Sequence, residues 1–330
     1  CEMTSESPPL DLTRQTEQSP QERLARAFFF ACAAVSVLTT LGIVVALGSG
    51  AMRFFTITAD FGNAVGLFNY DGQTVDIVSF LTGTEFSPTA ADPSFGVLPL
   101  VSGTLMITIG SAVIALPLGV GTAIYLSEFA SQRRRRYLKP ALEVLAGVPT
   151  VVYGFFAIAY ITPALEATLG IELGLYNAAS ACIVVGIMII PMVASVSEDA
   201  MSAVPDDLRQ AGYGMGATKF DVVTGIVIPA SISGIASSFI LGLSRAIGET
   251  MAVTLAAGQT PRMANPLSPA SYAESIETMT AAMIHLATGD ISALGRAYHS
   301  LFGIGITLFL MTLLMNLISD YIASRYREVY

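Results

Sequence analysis

The sequence contains few charged residues. Asp, Glu, Lys and Arg make up 12% of its 330 residues, whereas apolar residues make up 53% and the mean hydropathy is +0.65. Soluble domains carry roughly 25% charged residues, so this composition excludes an ordinary soluble protein. It predicts an all-α polytopic membrane protein.

Cysteine, lysine and histidine are also scarce, and each scarcity excludes a class of chemistry. Three cysteines provide no disulfide framework. Neither Lys139 nor Lys219 follows a glycine, so the chain has no nucleotide-binding P-loop and no ATPase activity of that kind. The two histidines, His285 and His299, lack the spacing of metal ligands, and no Gly-x-Ser-x-Gly motif indicates a nucleophile. We therefore predict no enzyme, no metal site and no directly bound cofactor.

Long charge-free runs predict the membrane helices, because a bilayer requires roughly 20 apolar residues per helix. Five such runs are 27–52, 97–127, 144–165, 173–197 and 297–319. A sixth, 222–260, is interrupted only by Arg245 and Glu249. The fold class predicted is six transmembrane helices.

The distribution of basic residues predicts the orientation. With the N-terminus inside, twelve of the sixteen Lys and Arg residues are cytoplasmic, three are outside and one is within the membrane. The twelve are Arg14, Arg23, Arg26, Arg133, Arg134, Arg135, Arg136, Lys139, Arg209, Lys219, Arg325 and Arg327. By the positive-inside rule both termini are cytoplasmic.

These signals divide the chain into four regions. Residues 1–25 are predicted to be a disordered cytoplasmic tail, 27–52 an N-terminal transmembrane helix and 97–324 a five-helix core with a cytoplasmic loop at 198–229. Residues 53–96 form an exterior loop or small cap, or a plain connector. The net charge of −9 argues against nucleic acid as a partner.

Arg245 and Glu249 mark a candidate site, because charge at bilayer depth is costly and is rarely retained without a function. On a continuous helix the two residues share one face. Small residues at Ser238, Gly242 and Ala252 extend that face, which should contact another helix or a pathway. The alternative is an ion pair that only fixes packing.

The cytoplasmic loop carries a second pattern. Gln210-Ala211-Gly212 is followed after three residues by Gly216, and after nine more by Ile226-Val227-Ile228-Pro229. This spacing resembles the EAA loop of ABC-importer permeases, with Gln in place of Glu and Gly in place of the second Ala. The resemblance implies a short coupling helix around 206–216 that docks on an ATPase subunit, with a sharp turn at the glycine.

Other segments resemble the phosphate-specific permeases of the PstC type, which are MetI-like ABC-importer subunits. They are Pro117–Glu128, Gly147–Phe155, Leu243–Val253, Tyr298–Phe302 and Asn316–Ile318. The resemblance implies a permease in the cell membrane that imports inorganic phosphate.

It also implies four partners: a PstA-like permease, a PstB-like ATPase dimer that uses ATP, an extracellular PstS-like phosphate-binding protein and the lipid bilayer. We predict a substrate pathway at Arg245, Glu249 and Thr250, because guanidinium donors match phosphate oxygens and a nearby carboxylate weakens binding enough for release. The open alternatives are a permease for sulfate or molybdate, and a membrane sensor or scaffold that transports nothing.

Overall fold

The computed structural model of the chain describes residues 20–56, 74–170, 172–289 and 295–325. Residues 1–19 of the predicted tail and residues 57–73 of the predicted exterior segment lie outside this part. Two compact units are divided between Ser49 and Gly50. The described residues are mainly helical, which confirms the all-α fold class.

The helices are numbered in chain order. They are α1 (Pro20–Phe54), α2 (Ile77–Thr82), α3 (Leu98–Ile124), α4 (Gln132–Ala146), α5 (Thr150–Phe156), α6 (Thr162–Leu169), α7 (Ala178–Ser202), α8 (Asp206–Gly214), α9 (Lys219–Val222), α10 (Ile228–Ala230), α11 (Ile232–Ile247), α12 (Met251–Ala257), α13 (Pro269–Tyr272), α14 (Met279–Thr288) and α15 (Arg296–Arg325). Strands β1 (Phe86–Ser87) and β2 (Ser94–Phe95) pair antiparallel.

Three π-helical turns join or extend these helices: Tyr125–Phe129 after α3, Ala157–Ile161 between α5 and α6, and Val223–Val227 between α9 and α10. A π-helical turn bonds each N–H to the carbonyl five residues earlier. Accordingly, the N–H of Ala130 donates to the carbonyl of Tyr125 over 2.7 Å.

Helix α1 begins at Pro20, earlier than the predicted Ala27 and inside the predicted disordered tail. Proline suits the first helical position because its missing N–H has no partner there in any case. Glu22 in the first turn complements the helix dipole. Side chains from 21 to 46 are almost all exposed, as expected for a helix that meets lipid.

Among the described residues, five helical stretches are long and apolar enough to cross a membrane, and a sixth candidate is a bent pair. The pair comprises Lys219–Ala230 and Ile232–Ile247, whose axes differ by 68°. The predicted run 222–260 is therefore not one straight helix, although the bent pair within it remains the sixth candidate span. Pro229 lacks the N–H that a continuing helix needs, and the Ser231 hydroxyl donates to the carbonyl of Val227 over 2.7 Å, so the axis turns here.

Helices α3 and α7 pack along each other in the same direction. A Cβ on Gly110 would lie 2.4 Å from Cys182 Sγ, and one on Gly119 would lie 2.7 Å from Val193 Cγ1. Only glycine permits this approach, which is typical of helix pairs in lipid. Helix α7 is the most buried span and positions the elements around it.

The two ends of the bundle differ, and we name them the α14 end and the α8 end. At the α14 end, the second turn of α3 and the start of α7 contact residues 274–279. At the α8 end, Arg209 contacts both the π-helical turn after α3 and the last turn of α7.

An aromatic cluster closes the α14 end. Phe54 makes edge-on contacts with Phe80 and Phe95, at centroid distances of 5.5 and 5.8 Å. Phe86 on β1 is buried in the same cluster. The described part of segment 53–96 is thus a packed structure on the bundle.

Candidate functional site

The residues predicted to form the substrate pathway flank a break between two helices. Helix α11 ends at Ile247, where the N–H of Gly248 bonds back to the carbonyl of Ser244, and α12 begins at Met251. Arg245 therefore belongs to α11, whereas Glu249 and Thr250 lie in the break. The expectation that Arg245 and Glu249 share a face of one helix is wrong, because the helix does not continue between them.

Arg245 lies in the last turn of α11 and is exposed. Within the part of the chain that the structure describes, its guanidinium has no hydrogen bond or ion pair. The C-terminal end of a helix favours a cation, which accounts for its local placement. Beside it, the Ser244 hydroxyl donates to Asn316 Oδ1 of α15 over 3.2 Å. Ser244, Arg245 and Asn316 form a partly exposed polar surface, which we call the α11 polar face.

Glu249 is 7% exposed and contacts the backbone that follows it. Its Oε1 accepts the backbone N–H of Ala252 over 3.1 Å, at the start of α12. A carboxylate at a helix N-terminus satisfies a free donor and complements the helix dipole. Among the described residues, no ion pair joins Glu249 to Arg245. Glu249 thus caps α12 in this conformation.

The break is also tied to α14. The hydroxyl of Thr280 donates to the carbonyl of Glu249 over 2.8 Å. Thr250 is half-buried, and its hydroxyl donates to the carbonyl of Gly248 over 3.2 Å. Its own carbonyl accepts the hydroxyl of Thr254 over 2.7 Å. These bonds fix the backbone around the break.

The small-residue side of α11 contacts α7. The hydroxyls of Ser238 and Ser197 lie 2.8 Å apart, and a Cβ on Gly242 would approach Val193 Cγ2 to 3.0 Å. Of the two expected neighbours, another helix or a pathway, these residues face the helix.

The predicted coupling segment forms the short helix α8. Gln210 and Ala211 are exposed, whereas Gly212 is buried, where a Cβ would lie 2.7 Å from Ile226 Cδ1. The turn predicted at Gly216 is confirmed by its φ of +87°, which side-chain-bearing residues rarely adopt. Pro229 is exposed just before the 68° bend.

Large apolar side chains around α8 are also exposed. Tyr213 is 43% exposed, Met215 82% and Phe220 67%. Their grouping within eight residues of sequence forms an uncovered apolar surface, which is typical of a contact surface.

Sequence reasoning missed the function of Arg209, which it counted only as a topological charge. The guanidinium donates to the carbonyls of Met201, over 2.8 Å, and Val204, and pairs with Glu128 over 3.1 Å. Glu128 lies 81 positions earlier, in the π-helical turn after α3. Arg209 thus fastens α8 to the ends of two membrane helices, and no local sequence pattern indicates this pairing.

Glu198 forms the second buried charge cluster at this end. Its carboxylate is 1% exposed and pairs with Arg135 and, over 2.7 Å, with Lys139, both on α4. The hydrogen bond to Glu198 raises the pKa of Lys139 above its usual value. Helix α7 continues through Glu198 to Ser202, so the predicted cytoplasmic loop 198–229 begins within this helix.

The two histidines lie in different settings. His285 on α14 is exposed, and its Nδ1 lies 3.5 Å from Glu277 Oε1. His299 on α15 is buried, and its Nδ1 lies 3.0 Å from the carbonyl of Gly295.

Comparison with known proteins places these features in context. Residues 115–328 match the family described as "Binding-protein-dependent transport system inner membrane component". The "Probable ABC transporter permease protein YqgH" of Bacillus subtilis (strain 168) is 31% identical over 95% of this chain and 94% of its own length. The "Phosphate transport system permease protein PstC" of Mesorhizobium japonicum is 32% identical over 80% of this chain and 84% of its own length.

Among solved structures, one similar chain comes from a bacterial alginate ABC transporter in complex with its alginate-bound periplasmic protein. Its TM-score is 0.62, with 14% identity over 92% of this chain and 95% of that chain. This likeness shows a shared fold.

Proposed function

Because this chain belongs to the family of binding-protein-dependent transport system inner membrane components, the permeases of ABC importers, we propose that it imports inorganic phosphate as one permease subunit of an ATP-driven transporter. Support for phosphate comes from relatives such as the PstC protein at 32% identity over most of both chains. The name of the similar YqgH protein states no substrate. The chemical support for phosphate therefore comes from the α11 polar face.

The exposure of Arg245 is the observation that carries this proposal. A guanidinium exposed on a membrane-spanning helix costs at least about 2.5 kcal/mol if it faces lipid. This cost is avoided if a second, homologous permease covers the α11 polar face and leaves an aqueous passage between the subunits. Arg245 then presents planar, permanently charged donors to the oxygens of phosphate.

Glu249 and Thr250 complete the proposed pathway. Glu249 keeps the break open by capping α12, so α11 ends two residues after Arg245. Thr250 lies in the same break, where irregular backbone is tolerated in membranes only if it is covered by protein or lines a cavity. An anion held mainly by one arginine binds weakly enough to be released.

The α8 end is proposed to face the cytoplasm, together with both termini, because the basic residues of α4, Arg209 and Lys219 lie at this end. Here Gln210, Ala211, Gly212 and Gly216 shape a compact helix and turn that can enter a cleft of the partner ATPase. Pro229 marks the bend through which a movement of this loop reaches α11.

Reconstitution tests the proposal. The chain, its sister permease, the ATPase dimer and the binding protein are assembled in proteoliposomes, and uptake of labelled phosphate, sulfate and molybdate is measured. We expect ATP-dependent uptake of phosphate in preference to the other two. Preferential uptake of another oxyanion would identify that oxyanion, and not phosphate, as the substrate. ATP hydrolysis stimulated by the binding protein, with no oxyanion entering, would identify a sensor instead.

Arg245→Gln tests the pathway in the same vesicles. Because Glu249 is bonded to Ala252 and not to Arg245, this change leaves no unpaired carboxylate, and we expect normal assembly with at least tenfold slower uptake. Ser244→Ala, one residue earlier on α11, is the matched control and should retain most uptake. The double variant Arg245→Gln, Glu249→Gln removes both charges and should also transport poorly. Recovery of near-parental uptake in the double variant would contradict the pathway.

A further inference from the structure

A cavity of about 360 Å³ opens at the α14 end, away from the α11 polar face. Its volume is in the range of ligand-binding pockets. The walls are mainly apolar, with a few polar groups, and include Phe86, Pro88, Gln259, Glu277, His285 and Leu286. Of the residues that line it, only Glu277 and His285 have ionisable side chains.

Glu277 is buried in this cavity without a hydrogen-bond donor. The residue is 2% exposed, and its Oε1 is the one buried side-chain oxygen or nitrogen without a hydrogen-bond partner among the described residues. The His285 imidazole, 58% exposed, is 3.5 Å away, which is too far for a hydrogen bond. Burial raises the pKa of Glu277 to about 8.

The backbone around Glu277 is held firmly, so its placement is built into the fold. The N–H of Met279 donates to Thr104 Oγ1 over 3.0 Å, and the N–H of Ile276 donates to the carbonyl of Ala257 over 3.0 Å. A Cβ on Gly103 would lie 2.3 Å from the carbonyl of Glu277. Helices α3 and α12 therefore fix the backbone on both sides of Glu277.

We propose that this cavity receives the side chain of a lysine or arginine from the substrate-binding protein that docks on the α14 end. The cationic group pairs with Glu277, and its aliphatic stem lies against Phe86 and Leu286. This inference rests on the proposed function for the existence of a binding protein, but not on which oxyanion is carried.

The charges at this end favour a cation over an anion. Arg262 is already paired with Glu274 over 2.8 Å, and Arg296 lies over the ring of Phe95 at 5.7 Å. Among the described residues, no arginine or lysine pairs with Glu277. An ionised carboxylate repels phosphate, whereas an incoming cation lowers the pKa of Glu277 and supplies the missing donor. Docking therefore releases a proton from Glu277.

The affinity of the binding protein for the assembled transporter in lipid nanodiscs tests this proposal directly. Glu277→Gln should raise the Kd at least tenfold at pH 8.5. The control Glu274→Gln removes the same charge three residues earlier, from an exposed carboxylate, and should change the Kd less than twofold. The parental Kd should fall between pH 6.5 and 8.5, and the Kd of Glu277→Gln should not. An unchanged Kd in Glu277→Gln, or equal effects of both variants, overturns the proposal.

Double-mutant cycles identify the occupant. Each exposed Lys and Arg of the binding protein is changed to Gln, and one of these changes should weaken docking to the parent without further weakening docking to Glu277→Gln. If none behaves in this way, the proposal is wrong. Inorganic phosphate alone is a second probe: thermal stabilisation of the parent but not of Glu277→Gln would show an anion site instead. Docking is measured without transport. The docking result therefore stands whether or not the transporter carries phosphate.

Discussion

The two ends of this bundle both bury carboxylates, but only one end supplies cations for them. At the α8 end, Glu128 pairs with Arg209, and Glu198 pairs with Arg135 and Lys139. At the α14 end, Glu277 is equally buried and has only the distant imidazole of His285. The paired charges at the α8 end resist separation of the helices that carry them. At the α14 end, the free energy falls when a hydrogen-bond donor reaches Glu277.

This difference suggests a division of labour between the ends. Paired charges at the α8 end fasten α4, α7 and α8 together, so these helices should move as one unit. The unpaired carboxyl at the α14 end leaves part of the interaction free energy for a docking protein. Changing charges at each end tests this contrast, and four predictions follow in order of decreasing effect.

Removing both cations from Glu198 should have the largest effect on stability. Arg135→Ala with Lys139→Ala leaves a carboxylate that is 1% exposed without a partner. The expected loss is about 3 kcal/mol, the lower end for a broken buried pair, because both cations are already one-third exposed. Thermal unfolding in detergent measures it.

Adding Glu198→Gln to this double variant provides the control. The third change removes the stranded charge, so most of the lost stability should return. If the double variant unfolds at the parental temperature, the pairing of Glu198 contributes nothing measurable and the contrast between the ends fails. Membrane insertion should persist, since ten of the twelve predicted cytoplasmic basic residues remain.

Arg209→Gln should have the next largest effect on stability and a specific effect on coupling. It removes the donors to the carbonyls of Met201 and Val204 and unpairs Glu128, at a cost of about 2 kcal/mol. The number of ATP molecules hydrolysed per phosphate transported should rise, because α8 no longer moves with α7. Adding Glu128→Gln should restore stability without restoring this ratio. If the ratio is unchanged in Arg209→Gln, Arg209 does not tether α8 to α7.

Glu277→Gln should stabilise the chain at high pH, the opposite of the changes at the α8 end. Between about pH 4.5 and 8, folded Glu277 retains a proton that the unfolded chain releases, so parental stability falls as pH rises through this window. The variant lacks this penalty. Its Tm should match the parent at pH 4 and exceed it by about 2–5 °C at pH 9. A constant difference across pH would contradict the raised pKa.

Glu274→Gln should have the smallest effect. Its carboxylate pairs with Arg262 over 2.8 Å but is 61% exposed, and such surface pairs contribute about 0–1 kcal/mol. Unfolding temperatures of this variant and the parent should agree within about 2 °C. A larger loss would mean that pairing, and not burial, decides the effect of a carboxylate at this end.

Much of the membrane architecture could be predicted from composition alone. The charge-free runs predicted helices where α3 and α7 lie, because apolar length is a local property of the sequence. The turn at Gly216 and the helix before it were also predictable, since spacing of small residues and glycine conformation are local.

The interruptions in the predicted run 222–260 were not predictable in this way. Gly248 and Thr250 are ordinary residues of membrane helices, so nothing in their neighbourhood indicates that α11 stops at Ile247. The helix stops because Glu249 caps the next one and bonds to Thr280 of α14 through its carbonyl. That contact joins residues 31 positions apart and exists only in the folded chain.

The partners of the charged residues could not be predicted from the sequence either. Arg209 and Glu128 were recognisable as charges, but their pairing depends on the packing of α3 beside α7. Glu198 looked like the start of a loop until α4 placed two cations over it. Glu277 carried no distinguishing motif, because its burial results from contacts with α3 and with the segment after α12.

The π-helical turn at Tyr125–Phe129 has a consequence for the evolution of this chain by insertion and deletion. Such a turn holds one more residue than an α-helical turn in its place. Deleting any one residue from Tyr125 to Ser127 would restore regular α-helix and rotate Glu128 by about 100° around its axis, away from Arg209. Substitutions in this stretch change single contacts, whereas a one-codon deletion separates α8 from α3. Chain length here should therefore vary less among related permeases than residue identity does.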